Sequence, residues 1–357
     1  MTVLVTGGSG HLGANLIRRL VQEGERVVAL ERSGSDNRAL DGLPIERVTG
    51  DLRDAEAMTR AMRGVRRVYH CAAKVSTTAG GEREIYDCNV IGTKNLLAAA
   101  LEARVERVVV TSSFSAVGHT EGRPADERDL FYPFEEHMPY ERSKAWVEHE
   151  CLKAVTQGLD VVIATSCAIL GPADFKPSRM GRVVKDFANG KMHAYIPGGF
   201  EFVSAHDIVQ GHLLAMEKGK TGEKYIFSTR FVTVDELMVL LQDITGKKGP
   251  TLRLPPSVMA KIAVVSTFIL SNFFPDVSQR FTPGAVRILG MARRADTGKA
   301  QRELGYRPTS IEEALKQAYE FFVEQGAIEG VTARPAAAPV PVPRAAAKVQ
   351  SNGAVLS

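Results

Sequence analysis

A tyrosine and a lysine four positions apart, Tyr140 and Lys144, carry the plainest chemical signal in the chain. On a helix, positions i and i+4 share a face, so the phenol and the ammonium sit side by side. Free tyrosine, with a pKa of about 10, is a weak acid. A neighbouring ammonium stabilises the phenolate and lowers that value. A phenol tuned in this way can donate a proton to an oxygen that is gaining negative charge. Upstream, the apolar run at 108–110 ends in three hydroxyl residues, Thr111, Ser112 and Ser113. A serine hydroxyl there can share the charge on the same oxygen.

Negative charge develops on a carbonyl oxygen when its carbon takes up hydride, and the N-terminus offers a place for a hydride carrier. Residues 3–13 read V-L-V-T-G-G-S-G-H-L-G, a short strand followed by Gly7, Gly10 and Gly13 at the spacing G-x-x-G-x-x-G. Gly7 permits a tight turn, Gly10 admits a pyrophosphate to the backbone, and Gly13 allows close helix packing. The helix that opens at His11 and Leu12 then presents free N–H groups and a positive dipole end to the phosphates. A second strand ends at Glu31-Arg32, where an adenosine ribose should lie. Glu31 can bind both ribose hydroxyls and favours NAD, whereas Arg32 can pair with a 2′-phosphate and favours NADP. The carboxylate repels that phosphate, so NAD is the expected cofactor and NADP the alternative. Asp51 and Leu52, after the third strand, fall where the adenine would sit.

These groups need a scaffold whose strand ends converge. Strand patterns occur at 2–6, 26–30, 45–49, 67–71, 107–111 and 160–165, with amphipathic stretches at 11–22, 55–62, 86–103 and 140–154 between them. Such alternation predicts an α/β fold: a Rossmann-type doubly wound parallel sheet joined by right-handed crossovers. The rhythm breaks near residue 170, so 1–170 reads as the dinucleotide-binding domain. Residues 171–330 read as a smaller, mostly helical substrate lobe interleaved with the sheet. Residues 331–357, rich in Pro and Ala, read as a disordered tail. The apolar stretch 262–274 is too short for the roughly 20 residues of a spanning helix. It reads as a core helix, with a flap over a lipophilic substrate or a peripheral membrane contact as alternatives.

Further motifs accompany these: G-D-L-R-D at 50–54, H-C-A-A at 70–73, N-V-I-G-T at 89–93, T-S-S at 111–113, F-V-S-A-H-D-I at 202–208 and R-E-L-G-Y-R-P at 302–308. Together they resemble the extended short-chain dehydrogenase/reductases, over about residues 1–326. That superfamily includes nucleotide-sugar epimerases and dehydratases, 3β-hydroxysteroid dehydrogenases and dihydroflavonol reductases. The resemblance implies Ser113, five residues before Gly118, as the polarising serine in preference to Ser112. It implies Tyr140 as acid/base, Lys144 on the nicotinamide ribose and Asn89 as an ordering residue. It also implies cofactor contacts at Ala72 and Ala73 and at the stretch containing Ser166. Many sugar-nucleotide members carry Arg-Pro or Asn-Pro in that last stretch, whereas this chain has Ala164-Thr165-Ser166.

The expected activity is therefore NAD(P)H-dependent reduction of a ketone, or oxidation of a secondary alcohol, on a hydrophobic small molecule. A nucleotide-sugar epimerase or dehydratase is the runner-up. It should grip a diphosphate with arginines such as Arg179, Arg182 and Arg230. A net charge of +4 with interleaved signs excludes a nucleic-acid stripe. The eight histidines form no metal-ligand spacing. Cys71, Cys88, Cys151 and Cys167 lack C-x-x-C pairing, and the first strand begins at once with no leader before it, so the expected location is the cytoplasm. A homodimer fits the same reading.

Overall fold

The computed structural model describes residues 1–76, 80–134, 137–255 and 283–331. The apolar stretch 262–274 and the segment 332–357 lie outside the described residues.

Seven parallel strands form the main sheet. They are β1 (Thr2–Thr6), β2 (Arg26–Glu31), β3 (Glu46–Thr49), β4 (Arg67–His70), β5 (Arg107–Ser113), β6 (Val161–Ser166) and, from much later in the chain, β10 (Lys224–Phe227). Their order, β3-β2-β1-β4-β5-β6-β10, reverses direction between β1 and β4. Ligands of doubly wound sheets bind at that switch point, outside the carboxyl ends of the strands.

Both faces of the sheet are covered. On one side, α1 (His11–Gln22) packs beside α7 (Ala205–Lys218). Its Leu12, Leu16, Ile17 and Leu20 recur at helical spacing and are buried, Leu16 and Ile17 completely. On the other side lie α2 (Ala55–Ala61), α4 (Gly92–Glu102) and α5 (Pro139–Thr156), which bury Met58, Leu96, Val147 and Cys151 against the sheet. With two packed faces the central strands read as continuous apolar runs. Every residue of β6 is buried accordingly.

The expected helix over 86–103 is interrupted. A short helix α3 (Glu82–Tyr86) passes through a π-turn at Asp87–Ile91 before α4 begins. Such π-turns often mark functional positions, and this one contains Asn89.

The chain leaves the main sheet at β7 (Ala168–Leu170). This strand joins β9 (Gly199–Ser204) and β11 (Arg230–Thr233) in a small second sheet. Around that sheet, α6 (Arg179–Ala188), α8 (Val234–Thr245) and α11 (Ile311–Glu324) enclose Phe187, Phe202, Leu241 and Phe322. Two-residue strands β8 (Ala194–Tyr195) and β12 (Leu252–Arg253) pair nearby. Helices α9 (Pro283–Met291) and α10 (Gly298–Leu304) complete the described chain. Among the described residues no helix is long and apolar enough to cross a membrane.

Candidate active site

A cleft of about 410 Å³ opens at the carboxyl ends of β1 to β4. Gly7, Ser9 and Gly10 line it beside Leu30, Glu31 and Arg32 from β2, Asp51 and Leu52 after β3, and Ala72 and Ala73 after β4. Gly7 adopts φ +73°, and a Cβ there would come within 2.6 Å of the Ala72 nitrogen. Only glycine satisfies both the turn and the approach. Leu12 packs into the core, and a Cβ on Gly13 would meet the Gly7 carbonyl at 2.3 Å. Neither side chain reaches the cleft, so what they offer a ligand is a first-turn N–H.

Helix α1 is left open where others are closed. Asp54, Ser178, Ser204, Thr233 and Ser310 each cap their own helix with a side-chain oxygen. At α1 the capping residue is Gly10, with no side-chain cap. Its orphan N–H groups and positive dipole end therefore remain for an anion. His11 adds an orphan atom. Its Nε2 faces the Pro172 carbonyl at 3.0 Å and must donate there, which leaves the buried Nδ1 an acceptor with no partner among the described residues. The glycine cradle and the uncapped helix fit a dinucleotide.

Around the adenosine end the acids are engaged. Glu31 is bound by Arg47 of β3 at 2.6 Å. Arg53 pairs with Asp51 and holds its carboxyl down at about 2. Arg32 Nε reaches Ser35 Oγ at 3.2 Å.

At the nicotinamide end, β5 and α5 bring Ser113, Tyr140 and Lys144 together. Contrary to the lowering expected from the Lys144 ammonium, burial raises the Tyr140 phenol above its ordinary pKa, and it is a hydrogen bond with Ser113 that pulls it the other way. Ser113 Oγ accepts from Ser115 Oγ at 2.8 Å, which leaves its own proton free to donate. Lys144 Nζ donates to the Thr111 carbonyl at 2.8 Å, and burial lowers its pKa to about 8. An ammonium has three donors, so two remain for a ligand. Ser112 alternates to the opposite face of β5 and donates to Glu148 at 2.6 Å. Ser166 lies beside Ser113 in register, with its hydroxyl on the Cys167 carbonyl at 2.9 Å.

Asn89 ties the two ends together. Its Oδ1 accepts from the Lys74 N–H at 2.7 Å, and its Nδ2 donates to the Lys74 carbonyl and to Ser143 Oγ, both at 3.0 Å. Ser143 in turn donates to the Tyr140 carbonyl at 2.8 Å.

Four contributors escaped the sequence reading: Ser115, the Thr111 carbonyl, Arg47, and Lys176, which lines the cleft with its Nζ 3.0 Å from Ser9 Oγ. The first lies in the turn Phe114–Ala116 just after β5, and the second lies in β5 itself. Arg47 and Lys176 arrive from separate elements and carry no local motif. Among the described residues no His/Cys/Asp/Glu group could hold a metal. Of the arginines expected to grip a diphosphate, Arg230 is bound by Glu236 at 2.6 Å and also by Glu312. Arg182 donates to the Pro177 carbonyl at 2.9 Å. Arg179 is largely buried, which lowers its guanidinium to about 10.

Residues 3–227 match the NAD dependent epimerase/dehydratase family. The chain belongs to that family. It is an NAD-dependent oxidoreductase of the extended short-chain dehydrogenase/reductase superfamily, on the Rossmann-type sheet that the motifs imply. Among its relatives, sterol demethylase protein B of Methylococcus capsulatus is 44% identical over 92% of this chain and 100% of the relative. A putative dihydroflavonol 4-reductase of Synechocystis is 35% identical over 91% of this chain and 95% of the relative. The solved dTDP-glucose 4,6-dehydratase DesIV of Streptomyces venezuelae, with NAD and TYD bound, superposes with a TM-score of 0.74 at 27% identity. That match covers 92% of this chain and 99% of the other.

Proposed function

We propose that the protein interconverts a ketone and a secondary alcohol on a large apolar, sterol-like substrate. The observation that carries this reading is the 44% identity to a sterol demethylase component along that relative's whole length. Arg230 points the same way: held by two carboxylates, it is not offered to a sugar-linked diphosphate.

Hydride donation in reduction and hydride uptake in oxidation would be supplied by NAD(H) held over the glycine loop. Tyr140 Oη donates the proton to the carbonyl oxygen in reduction and takes it back in oxidation. Ser113, polarised by Ser115, donates a hydrogen bond to the same oxygen. Lys144 uses one proton on the Thr111 carbonyl and would hold the nicotinamide ribose hydroxyls with the others. Raised by burial, the phenol keeps its proton at neutral pH and so stands ready as the acid in reduction. Asn89 and Ser143 hold the start of α5 in place and thereby aim Tyr140.

The test is a turnover screen of the purified protein with NADH and NADPH. It should set 3-ketosteroids, 3β-hydroxysterols, 4-carboxylated sterols and aryl ketones against UDP- and dTDP-sugars. Turnover is expected with a sterol-like ketone or alcohol. Turnover of a nucleotide sugar, with none for the apolar panel, would overturn the reading.

A further inference from the structure

The second lobe reaches back to both catalytic elements through one short stretch, α9 and the residues after it. α9 buries Val286 and Leu289 in the apolar core of that lobe, together with Phe202 and Leu241. From the same helix, Arg287 Nη2 donates to Glu141 Oε2 at 2.7 Å, in the first turn of α5. Two residues past α9, Arg293 donates to the Val117 and Gly118 carbonyls at 2.7 and 2.8 Å. Its guanidinium also lies over the Phe114 ring, 4.6 Å from the centre. The backbone that follows is tied to the same loop. Ala125 N–H donates to the Arg294 carbonyl at 2.8 Å, and Asp296 N–H donates to the Ala125 carbonyl at 2.9 Å.

The points that these arginines hold are the chain neighbours of the catalytic side chains. Phe114 follows Ser113, and Glu141 follows Tyr140. Ser113 and Tyr140 share a hydrogen bond but come from different elements, the end of β5 and the start of α5. Their meeting depends on how those two ends are set against each other. Arg293 fixes the stretch after α9 to the β5 side, and Arg287 fixes α9 to the α5 side.

Glu141 is well placed to take that pull. Its side chain is only 7% exposed, and the oxygen that meets Arg287 also accepts from the Met138 N–H at 2.8 Å, at the start of the helix. His137 Nδ1 lies 3.7 Å from that oxygen, beyond hydrogen-bond reach, so the close ionic contact is the arginine's. We propose that Arg287 is a positioning residue: by holding Glu141 it sets the start of α5 so that the Tyr140 phenol meets Ser113. The inference rests on the roles given above to Ser113 and Tyr140, and not on the substrate being a sterol.

Two substitutions separate positioning from stability in the full chain. Arg287→Met strands the buried Glu141 carboxylate, so the melting temperature should fall. Adding Glu141→Gln removes the stranded charge and keeps an oxygen for the Met138 N–H. Most of the melting temperature should then return, with α9 and α5 still unlinked. Tyr140 is read directly by carbon-13 NMR of ring-labelled tyrosine, its signal being the one that Tyr140→Phe lacks. That signal should shift in Arg287→Met and stay shifted in the double variant. Turnover of whichever substrate the screen identifies should fall by about tenfold or more in both, with NADH bound within about twofold of wild type. Arg287→Lys, which keeps the charge, should recover part of the rate. The NMR readout needs no substrate, so a failed sterol reading leaves this test intact. A Tyr140 signal unmoved in Arg287→Met would overturn the proposal. So would a double variant whose signal and rate return to wild type along with its melting temperature, since the ion pair would then serve stability alone.

Discussion

The adenosine cleft and the Ser113–Tyr140–Lys144 cluster tune their charges by opposite means. At the nicotinamide end, Lys144 is buried and Tyr140 partly so, and both have neutral partners: a serine hydroxyl for the phenol and a backbone carbonyl for the ammonium. Burial moves both pKa values toward the uncharged forms, the phenol upward and the ammonium down to about 8. At the adenosine end, Glu31, Asp51 and their arginines are partly open to solvent and are balanced by ion pairs. Exposed pairs of that kind contribute only about 0–1 kcal/mol each. In the proposed function, the proton site sets the rate and the exposed charge network sets which cofactor is chosen.

Substitutions can break this division or sharpen it. The largest effect is expected at Lys144, in the proposed function the residue that holds the nicotinamide ribose. Lys144→Met should lower kcat/KM by about 10³-fold, within the range of general acid catalysis, and should also weaken NADH binding. Fluorescence titration beside steady-state rates separates the two losses, and an unchanged NADH affinity would deny the ribose role. In the wild type, kcat/KM for reduction should decline as pH rises through about 8, where Lys144 loses its proton. In the variant that limb should be missing.

A smaller effect is expected in the adenosine cleft. Glu31→Ala should raise the NADPH:NADH ratio of kcat/KM by about tenfold, or about 1.4 kcal/mol, with little change in the best rate. A large fall in the maximal rate with both cofactors would mean that the two regions are not separable.

Burial at the catalytic end also has a cost in stability. His70 lies between Thr6 and Thr93, at 2.7 and 2.9 Å, and His212 lies between Thr111 and the Ile208 carbonyl, both at 2.8 Å. Burial holds His70 down to about 3, with the Lys144 charge adding to it, and His212 down to about 4. The unfolded chain takes up these protons near pH 6.5, and the folded chain does not. Stability should therefore be full above about 6.5 and fall by about 1.4 kcal/mol per pH unit per histidine as pH drops toward 4. Urea midpoints between pH 7 and 5 measure this slope, and His212→Gln should make it shallower. A wild-type midpoint that stays flat over that range would show that the histidines are not held neutral.

The division also explains what was legible in the sequence. The glycine loop, the strand rhythm and the Tyr140–Lys144 pair are local patterns with fixed periods, and the structure assembles them at the switch point of the sheet. The helix expected over 86–103 was only partly right, because helical periodicity does not register the extra residue of the π-turn at Asp87–Ile91. Ser112 and Ser113 could not be separated by residue type, but strand alternation turns Ser112 to Glu148 and leaves Ser113 with Tyr140. Arg47 and Lys176 were illegible for another reason. Each acts across a tertiary contact, from β3 and from the segment after β7, and nothing in its own neighbourhood marks it.

Tyr140→Phe removes one proton and almost no volume. With a ketone identified by the turnover screen, turnover and NADH affinity should be measured on the same wild-type and variant samples. Turnover should fall by about 10²-fold or more, with NADH bound within about twofold of wild type. A variant that keeps turnover within about threefold of wild type would contradict the assignment of Tyr140 as the proton donor.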